Sequence, residues 1–437
     1  MHIVRYVQSH DMEDFMKKVL SRAVFLLLIL LMGSALVFGV GNRQRETTLT
    51  VAINRNPANE EFKALTEIAQ QYSAANPGIK VEITQYPEYE QTMKTKMAAN
   101  DLPDLFSTHG WSVARYSEYL EPLNNQSWIS KLSPAIKPVI TDSRGQIFVL
   151  PFDVDSAGVA FNRDVLDKSG VDPFAIKTWD DFMAACEKVK NAGFIPVDIG
   201  GSVQDDWTVG NFFDWVAPSF LITNESRNYR SALKDGSFDW NNWRPVAQLL
   251  VDFRNKGYLN PDYLQGTWDN VQARLGRGEL AFAFFGRYVI TGAKQTNPNA
   301  RYGFIPIPSL TPSDPPTLAT GENLTLGVWK NSPHKAEALK FLEYLSSPAI
   351  VSRLSQYANN QTGLVGPGYG IDAADLKEYF DKIEGVRGFP YFDREYLPNG
   401  MWDSLCKTGS GLLANTMTMD QVIQKMRDDY INLRRQQ

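Results

Sequence analysis

The chain contains little cysteine and little histidine, which limits the chemistry that it can support. Its 437 residues include two cysteines, Cys186 and Cys406. They either form one disulfide or remain as two buried thiols, and the chain is not a disulfide-stapled scaffold. Of its four histidines, only His109 and His334 lie beyond the N-terminal leader described below. A metal centre built from several histidines is therefore excluded, and we predict neither a metal nor a cofactor.

The chain also lacks any long run of basic residues. Its formal net charge is −5, which argues against nucleic acid as a partner. The composition is 43% hydrophobic and 12% aromatic, which is typical of a globular protein with a sizeable core. A chain of this length is long enough for two or three domains.

One long uncharged run occurs near the N-terminus. It extends from Ala23 to Val40, follows two lysines and an arginine, and contains small residues near its end. This pattern predicts a signal peptide over residues 1–41, for which Met16 is a more natural start than Met1. An uncleaved membrane anchor is the alternative, since the run is just long enough to span a bilayer. The run carries no cysteine for lipid attachment, so we predict a periplasmic or otherwise extracytoplasmic protein.

The stretch Gly145–Asn162 organises the rest of the sequence. Its two apolar runs, Ile147–Leu150 and Ala157–Phe161, each predict a buried strand. Between them lie Asp153 and Asp155, although aspartate is depleted in strands and costly to bury. We interpret this stretch as the point where the chain leaves one core and enters another, with both carboxylates available to a polar ligand. A polar turn in a β-hairpin is the alternative.

The segments before this stretch predict a mainly parallel sheet. A strand at Leu49–Asn54 begins a strand–helix–strand–helix–strand order that ends at Asp104–Thr108. In open parallel sheets, ligands bind beyond the carboxyl ends of the strands. His109 and Trp111 follow the last of these strands, so Trp111 is a candidate ligand contact. Alternatively, Trp111 covers the edge of the core.

A second α/β unit begins with a strand at Ile195–Ile199, and later strands are again bordered by polar and aromatic residues. These residues are Arg287 and Tyr288 after the strand Leu280–Phe285, Glu322 and Asn323 at the start of the strand Gly321–Trp329, and Trp402 after the loop Phe389–Gly400.

Several segments, taken together, resemble one family of proteins. In chain order they read NPGIKVEI, LPDLF, GQIFVLPFDVDSAGVAFNRDVLDKSG followed by TWDDF, RLGRGELAFAFFGRY, GFIPIP and ENLTLGVWKNSPHKAEALKFLEYLSSP. From Leu49 to the C-terminus, their order and spacing are similar to those of the extracellular solute-binding proteins of bacterial ABC importers. Within that family, the chain resembles the carbohydrate-binding group that includes maltose-binding protein. Each segment is weak by itself, and the order of all of them carries the match.

The resemblance implies an α/β fold of two lobes, each built on a mainly parallel sheet flanked by helices. The N-terminal lobe would contain residues 42–153 and 306–356, and the C-terminal lobe residues 154–305 and 357–437. Hinge segments would join the lobes, with Gly145–Asn162 as the first crossing and GFIPIP as the second.

The same resemblance implies that the protein holds a mono- or oligosaccharide between the lobes and delivers it unchanged to the membrane permease of an ABC transporter. It would act as a monomer and would not be an enzyme. In the family, binding residues lie where this chain has Trp111, Asp155, the turn Gly286-Arg287-Tyr288 and Trp402. The family often has tryptophan where Tyr288 stands. Residues near further family contact regions are His109, Asp153, Glu322 and Asn323.

These residue types suit a sugar, which presents hydroxyls on its edges and C–H groups on its faces. A carboxylate such as Asp155 accepts hydroxyl hydrogen bonds, each contributing roughly 1.5–3 kcal/mol. A flat ring such as Trp111 or Trp402 covers a sugar face and excludes water. Arg287 either donates its planar fork to the ligand or forms an ion pair with a cleft carboxylate.

Two enzyme functions are alternatives that the residues argue against. The segments Ser231–Lys234, Tyr357–Asn359 and Lys407–Gly409 occur in the order seen in serine β-lactamases, but Ser231 does not begin an apolar helix and the spacings do not fit. A glycosidase needs two carboxyls about 5–9 Å apart on opposite sides of a bond, whereas Asp153 and Asp155 share one strand face. A binding protein for a polyamine, which would suit the acidic residues, remains the live alternative.

Overall fold

The computed structural model describes residues 46–224 and 226–436. The predicted signal peptide at 1–41 lies outside these residues. No helix in the described ranges is both long enough and apolar enough to cross a membrane.

Strands and helices alternate along most of the described chain. The strands are β1 Thr47–Ala52, β2 Ile79–Thr84, β3 Leu105–Phe106, β4 Leu150–Pro151, β5 Asp153–Ala157, β6 Val159–Asn162, β7 Ile195–Val197, β8 Leu280–Ala283, β9 Tyr302–Ile305, β10 Thr317–Glu322, β11 Thr325–Val328, β12 Gln361–Thr362 and β13 Arg387–Pro390. The α-helices are α1 Glu60–Ala75, α2 Tyr89–Ala99, α3 Arg163–Lys168, α4 Trp179–Asn191, α5 Trp207–Leu221, α6 Arg230–Asp235, α7 Arg244–Asn255, α8 Trp268–Arg277, α9 Tyr288–Thr296, α10 Lys335–Leu345, α11 Pro348–Ala358, α12 Lys377–Ile383, α13 Phe392–Tyr396, α14 Met401–Leu413 and α15 Met419–Arg434. Short 3₁₀ turns occur at Ser127–Lys131, Pro173–Ala175, Trp240–Trp243 and Ala374–Leu376.

The strands form three sheets, with the orders β2-β1-β3-β11-β4, β12-β5-β10-β13 and β7-β8-β6-β9. The first sheet begins with parallel pairs, β1 with β2 and β1 with β3, but β11 runs antiparallel to β3 and to β4. In the third sheet, β7 is parallel to β8, whereas β6 is antiparallel to both β8 and β9. The α/β class is confirmed, but the expectation of two mainly parallel sheets is corrected to three mixed ones.

Apolar side chains form two separate cores. The first core draws on residues between Leu49 and Val154 and between Leu324 and Leu364. The second core draws on residues between Val159 and Ala319 and between Leu376 and Tyr430. The chain therefore passes from one core to the other after Val154, after Ala319 and after Leu364.

Local sequence signals explain several helix boundaries. The helix α1 has the bounds Glu60–Ala75, where apolar residues recur at helical spacing. Thr178 caps α4: its side chain accepts the N–H of Asp181, whose carboxylate accepts the N–H of Thr178. Such a reciprocal cap satisfies two donors that a helix start leaves without partners.

Long-range pairing changed other local predictions. Asp153–Ala157, within the stretch Gly145–Asn162, is itself a strand, β5, and not a polar turn, because it pairs with β10 and β12. Tyr302–Ile305 pairs with β6 as the last strand of the third sheet. Cys186 and Cys406 are buried free thiols and are not bonded to each other.

Candidate functional site

The sheet β12-β5-β10-β13 lies where the chain crosses between the two cores. We call it the hinge sheet. Strand β5 leads out of the first core, β10 leads back to it, and β12 precedes the last crossing. Residue pairs such as Asp155 and Gly321 hold β5 and β10 in antiparallel register. Side chains on these strands are therefore positioned between the cores.

Asp153 fastens the crossing segments to one another. It is 1% exposed. Its Oδ1 accepts the N–H of Leu324 at 2.9 Å, and its Oδ2 accepts hydrogen bonds from Asn323 Nδ2 at 2.7 Å and Asn360 Nδ2 at 2.8 Å. Asn323 and Leu324 lie where the chain passes back to the first core after Ala319, which corrects the prediction that this second crossing is GFIPIP, and Asn360 lies just before the last passage, after Leu364. The structure thus gives this predicted ligand contact a complete set of partners inside the hinge.

Arg287 also reaches into the hinge. It is 0% exposed, and its Nε donates to the carbonyl oxygen of Asn359 at 2.8 Å while Nη2 donates to Asn360 Oδ1 at 3.1 Å. Its guanidinium carbon lies 5.0 Å from the Phe304 ring centroid and 4.8 Å from that of Phe380. Burial lowers the pKa of Arg287 to about 10. These contacts join the start of α9 to Asn359 and Asn360, which precede the last passage of the chain between the cores.

Glu322 and Asn323 support neighbouring parts of the site. Glu322 is 2% exposed, and its Oε1 accepts hydrogen bonds from Thr108 Oγ1 at 2.9 Å and from the N–H of Ser112 at 2.8 Å. These contacts fix the loop that carries His109 and Trp111. Asn323 Oδ1 accepts a hydrogen bond from Arg55 Nη2 at 2.6 Å. Burial raises the pKa of Glu322, and its Oε2 is buried without a hydrogen-bond partner among the described residues.

Asp155 is placed differently from the other hinge carboxylate. Its side chain is partly exposed, and Oδ2 accepts a hydrogen bond from the Tyr391 hydroxyl at 2.6 Å. Its Oδ1 accepts no hydrogen bond within the described ranges. Burial raises the pKa of Asp155 to about 6, while the bond from Tyr391 and the charge of Arg287 act in the opposite direction. Asp155 thus retains an oxygen for a hydroxyl donor.

The raised pKa of Asp155 predicts a pH dependence of ligand binding. If ionised Asp155 accepts sugar hydroxyls, affinity should be full near pH 7 and fall as pH drops through about 6. The loss should reach roughly tenfold at about pH 5, where about a tenth of the carboxyl is ionised. Because the unfolded chain has the lower pKa, the contribution of Asp155 to stability should run the other way and diminish as pH rises from about 4 to about 6. Calorimetric titrations across this range test the first effect, and Asp155→Asn should make the affinity independent of pH there.

Trp111 is covered rather than exposed. It is 6% exposed, with the guanidinium carbons of Arg115 and Arg394 at 4.2 and 4.1 Å from its ring centroid. The His109 ring lies 5.8 Å away and is tilted by 58°. Burial lowers the pKa of His109 well below its usual value, and nearby arginines add to this. His109 is therefore neutral near pH 7.

Several aromatic side chains on helices of the second core are half-buried. Tyr288 is parallel to Trp268, with ring centroids 5.9 Å apart and an interplanar angle of 2°. Trp207 packs on Trp268 at 5.3 Å. Trp402 is the second residue of α14 and packs against α5, where a Cβ on Gly210 would lie 3.4 Å from its ring. Trp207 and Trp268 were not among the contact residues predicted from the sequence.

Residues of the two cores contact one another at more than one place. Asn59 Nδ2 donates to the Tyr288 hydroxyl at 3.0 Å, and Arg115 donates to Asn399 Oδ1 at 3.1 and 3.3 Å. Arg394 contacts Trp111 from the opposite core. The sequence did not predict a role for Tyr391, Arg394 or Asn360, because nothing near these residues indicates which distant side chains they contact.

The family of the chain follows from a comparison with known proteins. The family model of the bacterial extracellular solute-binding protein matches residues 56–351. The chain belongs to this family. The two-lobed fold of periplasmic binding proteins is confirmed, and so is the function of an extracytoplasmic sugar-binding component of an ABC transporter.

Individual relatives are similar over most of their length. The melibiose/raffinose/stachyose-binding protein MelE of Bacillus subtilis is 32% identical over 352 residues, which cover 80% of this chain and 81% of that protein. A sugar transporter of Bacillus licheniformis, solved in complex with stachyose, is 33% identical with a TM-score of 0.81, covering 89% of this chain and 100% of that one. A putative binding protein of Bacillus subtilis, solved in an open conformation, is 30% identical with a TM-score of 0.80, covering 90% and 98%.

Proposed function

We propose that this protein binds galactose-containing oligosaccharides such as melibiose, raffinose and stachyose. The support is that MelE, named for these three sugars, is 32% identical to this chain, and that a chain 33% identical was solved with stachyose. The three sugars share a galactosyl–glucose unit, so a site that reads this unit would accept all of them.

The observation that carries the proposal is the position of Asp155. It lies on the hinge sheet between the two cores and is partly exposed, and among the described residues it accepts a hydrogen bond through one oxygen only. Ionised carboxylates form the stronger hydrogen bonds to hydroxyls. In our proposal Asp155 accepts sugar hydroxyls through Oδ1, while Trp402 and Tyr288 contact sugar faces. Trp111 joins them once its ring is uncovered.

The remaining predicted contacts act indirectly in this proposal. Asp153, Arg287 and Asn323 set the geometry of the hinge, and Glu322 holds the loop of His109 and Trp111. Asp153, bonded on both oxygens, is not available as the second carboxyl of a glycosidase. We therefore propose binding without chemical conversion of the sugar.

We further propose that the two lobes divide as the two cores do, and that closure around sugar forms the surface that the permease recognises. A ligand that touches both lobes favours the closed state by its differential affinity for it. The N-terminal leader, with no cysteine for lipid attachment, would direct a monomeric protein to the periplasm or to the outer face of the membrane.

A thermal-shift panel on the purified protein tests the ligand class. Raffinose at about a hundred times its dissociation constant should stabilise the folded state by about 2.7 kcal/mol, which raises the melting temperature by several degrees. Melibiose and stachyose should give similar shifts. Maltose, which has no galactosyl unit, is the matched control and should give little shift. A shift with putrescine and none with sugars would instead support the polyamine alternative.

A further inference from the structure

The indole ring of Trp111 is covered by guanidinium groups from both cores. Arg115 lies on the same core as Trp111, with its guanidinium carbon 4.2 Å from the ring centroid. Arg394 lies between Phe392 and Tyr396 of the second core and approaches the same ring to 4.1 Å. Since Trp111 is only 6% exposed, a sugar can stack on this ring only after one guanidinium has moved away.

Arg115 is held firmly. It forms an ion pair with Glu90 and donates from Nε and Nη2 to Asn399 Oδ1 at 3.3 and 3.1 Å. Its side chain is 7% exposed. Moving Arg115 would break these charge-assisted contacts, which are stronger than hydrogen bonds between neutral groups.

Arg394 is held by two aromatic rings and by an ion pair with its neighbour Asp393. Its guanidinium carbon lies 4.1 Å from the Trp111 centroid and 4.1 Å from the Tyr391 centroid. Within the described residues its side chain donates no hydrogen bond, and its Nε is buried without a partner. Asp393 Oδ1, 3.7 Å from Nε and also without a hydrogen-bond partner in that part of the chain, offers an acceptor to a displaced guanidinium. Arg394 is therefore the group that a ligand displaces at the lower cost.

The loop before Trp111 is shaped to admit this guanidinium. Gly110 has φ +91°, a conformation that favours glycine. A Cβ at Gly110 would lie 2.1 Å from Arg394 Nη1, so any other residue would collide with the arginine. The contact between Arg394 and Trp111 thus depends on a glycine at this position.

We propose that Arg394 sets the affinity of the sugar site by competing with the ligand for the ring of Trp111, and that in the absence of ligand it holds the two cores together. The first part rests on the proposed function, in which Trp111 contacts sugar. The second part does not require any ligand. The free energy of the cation–π contact between Arg394 and Trp111 is lost when sugar stacks on the ring, so it lowers the affinity for sugar by that amount.

The test compares Arg394→Gln with Arg387→Gln. Arg387 is an exposed arginine on β13, stacked on Phe389 at 4.3 Å, and serves as the matched control for loss of one arginine–aromatic pair. Raffinose affinity, measured by calorimetry, should rise about twofold to thirtyfold in Arg394→Gln, the range that loss of a cation–π contact gives. It should stay at the wild-type value in Arg387→Gln. Without sugar, small-angle scattering should give Arg394→Gln a larger radius of gyration than the other two proteins.

Each outcome decides a separate point. Equal or weaker raffinose binding by Arg394→Gln, with a wild-type circular dichroism spectrum, would overturn the competition, and weaker binding would make Arg394 a direct ligand contact. An unchanged radius of gyration would overturn the role in holding the cores together. If the wild-type protein binds none of the three sugars, the proposed function is wrong, and so is the proposed competition between Arg394 and sugar. The scattering result still decides whether Arg394 holds the two cores together without ligand.

Discussion

Replacing Asp153 with alanine should lower the free energy of unfolding by about 3–5 kcal/mol. The substitution leaves three donors, Leu324 N–H, Asn323 Nδ2 and Asn360 Nδ2, without their acceptor in a site where Asp153 is 1% exposed. Each buried donor that loses its partner costs about 1–3 kcal/mol. The measurement is the urea midpoint together with the melting temperature of the sugar-free protein.

Asp153→Asn is the matched control for this prediction. Asparagine keeps the size of the side chain and one acceptor oxygen, so it should cost clearly less than alanine. A melting temperature of Asp153→Ala within a degree or so of the wild-type value would show that the hinge does not depend on this carboxylate. Loss of sugar affinity in Asp153→Ala is also expected, because the crossing segments carry Asp155.

Asp155→Ala, only two positions along the same strand, should lower sugar affinity without lowering the stability of the fold. Sugar affinity should fall by roughly tenfold to 150-fold, as expected when a charge-assisted hydrogen bond of about 1.5–3 kcal/mol is lost. The melting temperature should stay level or rise near pH 7. The reason is that burial raises the pKa of Asp155 to about 6, so its ionised form costs stability there.

Isothermal titration with raffinose measures this effect. Asp167→Ala is a suitable control, because Asp167 is a surface carboxylate on α3 that pairs with Arg163 and Arg301, and its loss should leave affinity unchanged. Wild-type affinity in Asp155→Ala would remove Asp155 from the sugar site and with it the observation on which the proposed function rests.

Much of the fold could be predicted from the sequence because the responsible signals are local. The helix Glu60–Ala75 follows from apolar residues at helical spacing and a following Asn-Pro-Gly, and Thr178 with Asp181 marks the start of α4. The passage of the chain between two cores near Asp153 was also predicted. The ordered segments then sufficed to indicate the family.

The candidate site was less predictable. Nine contact residues were predicted, and their roles in sugar binding stay predictions. The structure separates them by environment: Asp155 is partly exposed and Trp402 half-buried, whereas Asp153 and Arg287 are buried in hinge contacts. Arg394 went unnoticed since nothing near it in the sequence indicates that it reaches Trp111.

The sequence by itself indicated several helices and the α/β class, because periodicity and capping are properties of residues a few positions apart, and the order of its segments indicated the family by resemblance. Only the tertiary structure decided which carboxylate remains available for a ligand. Asp153 meets partners 170 and 207 positions away, and Asp155 meets Tyr391 at a separation of 236. The two aspartates look alike in the sequence, and they differ because, among the described residues, three hydrogen-bond donors reach Asp153 and a single tyrosine hydroxyl reaches Asp155.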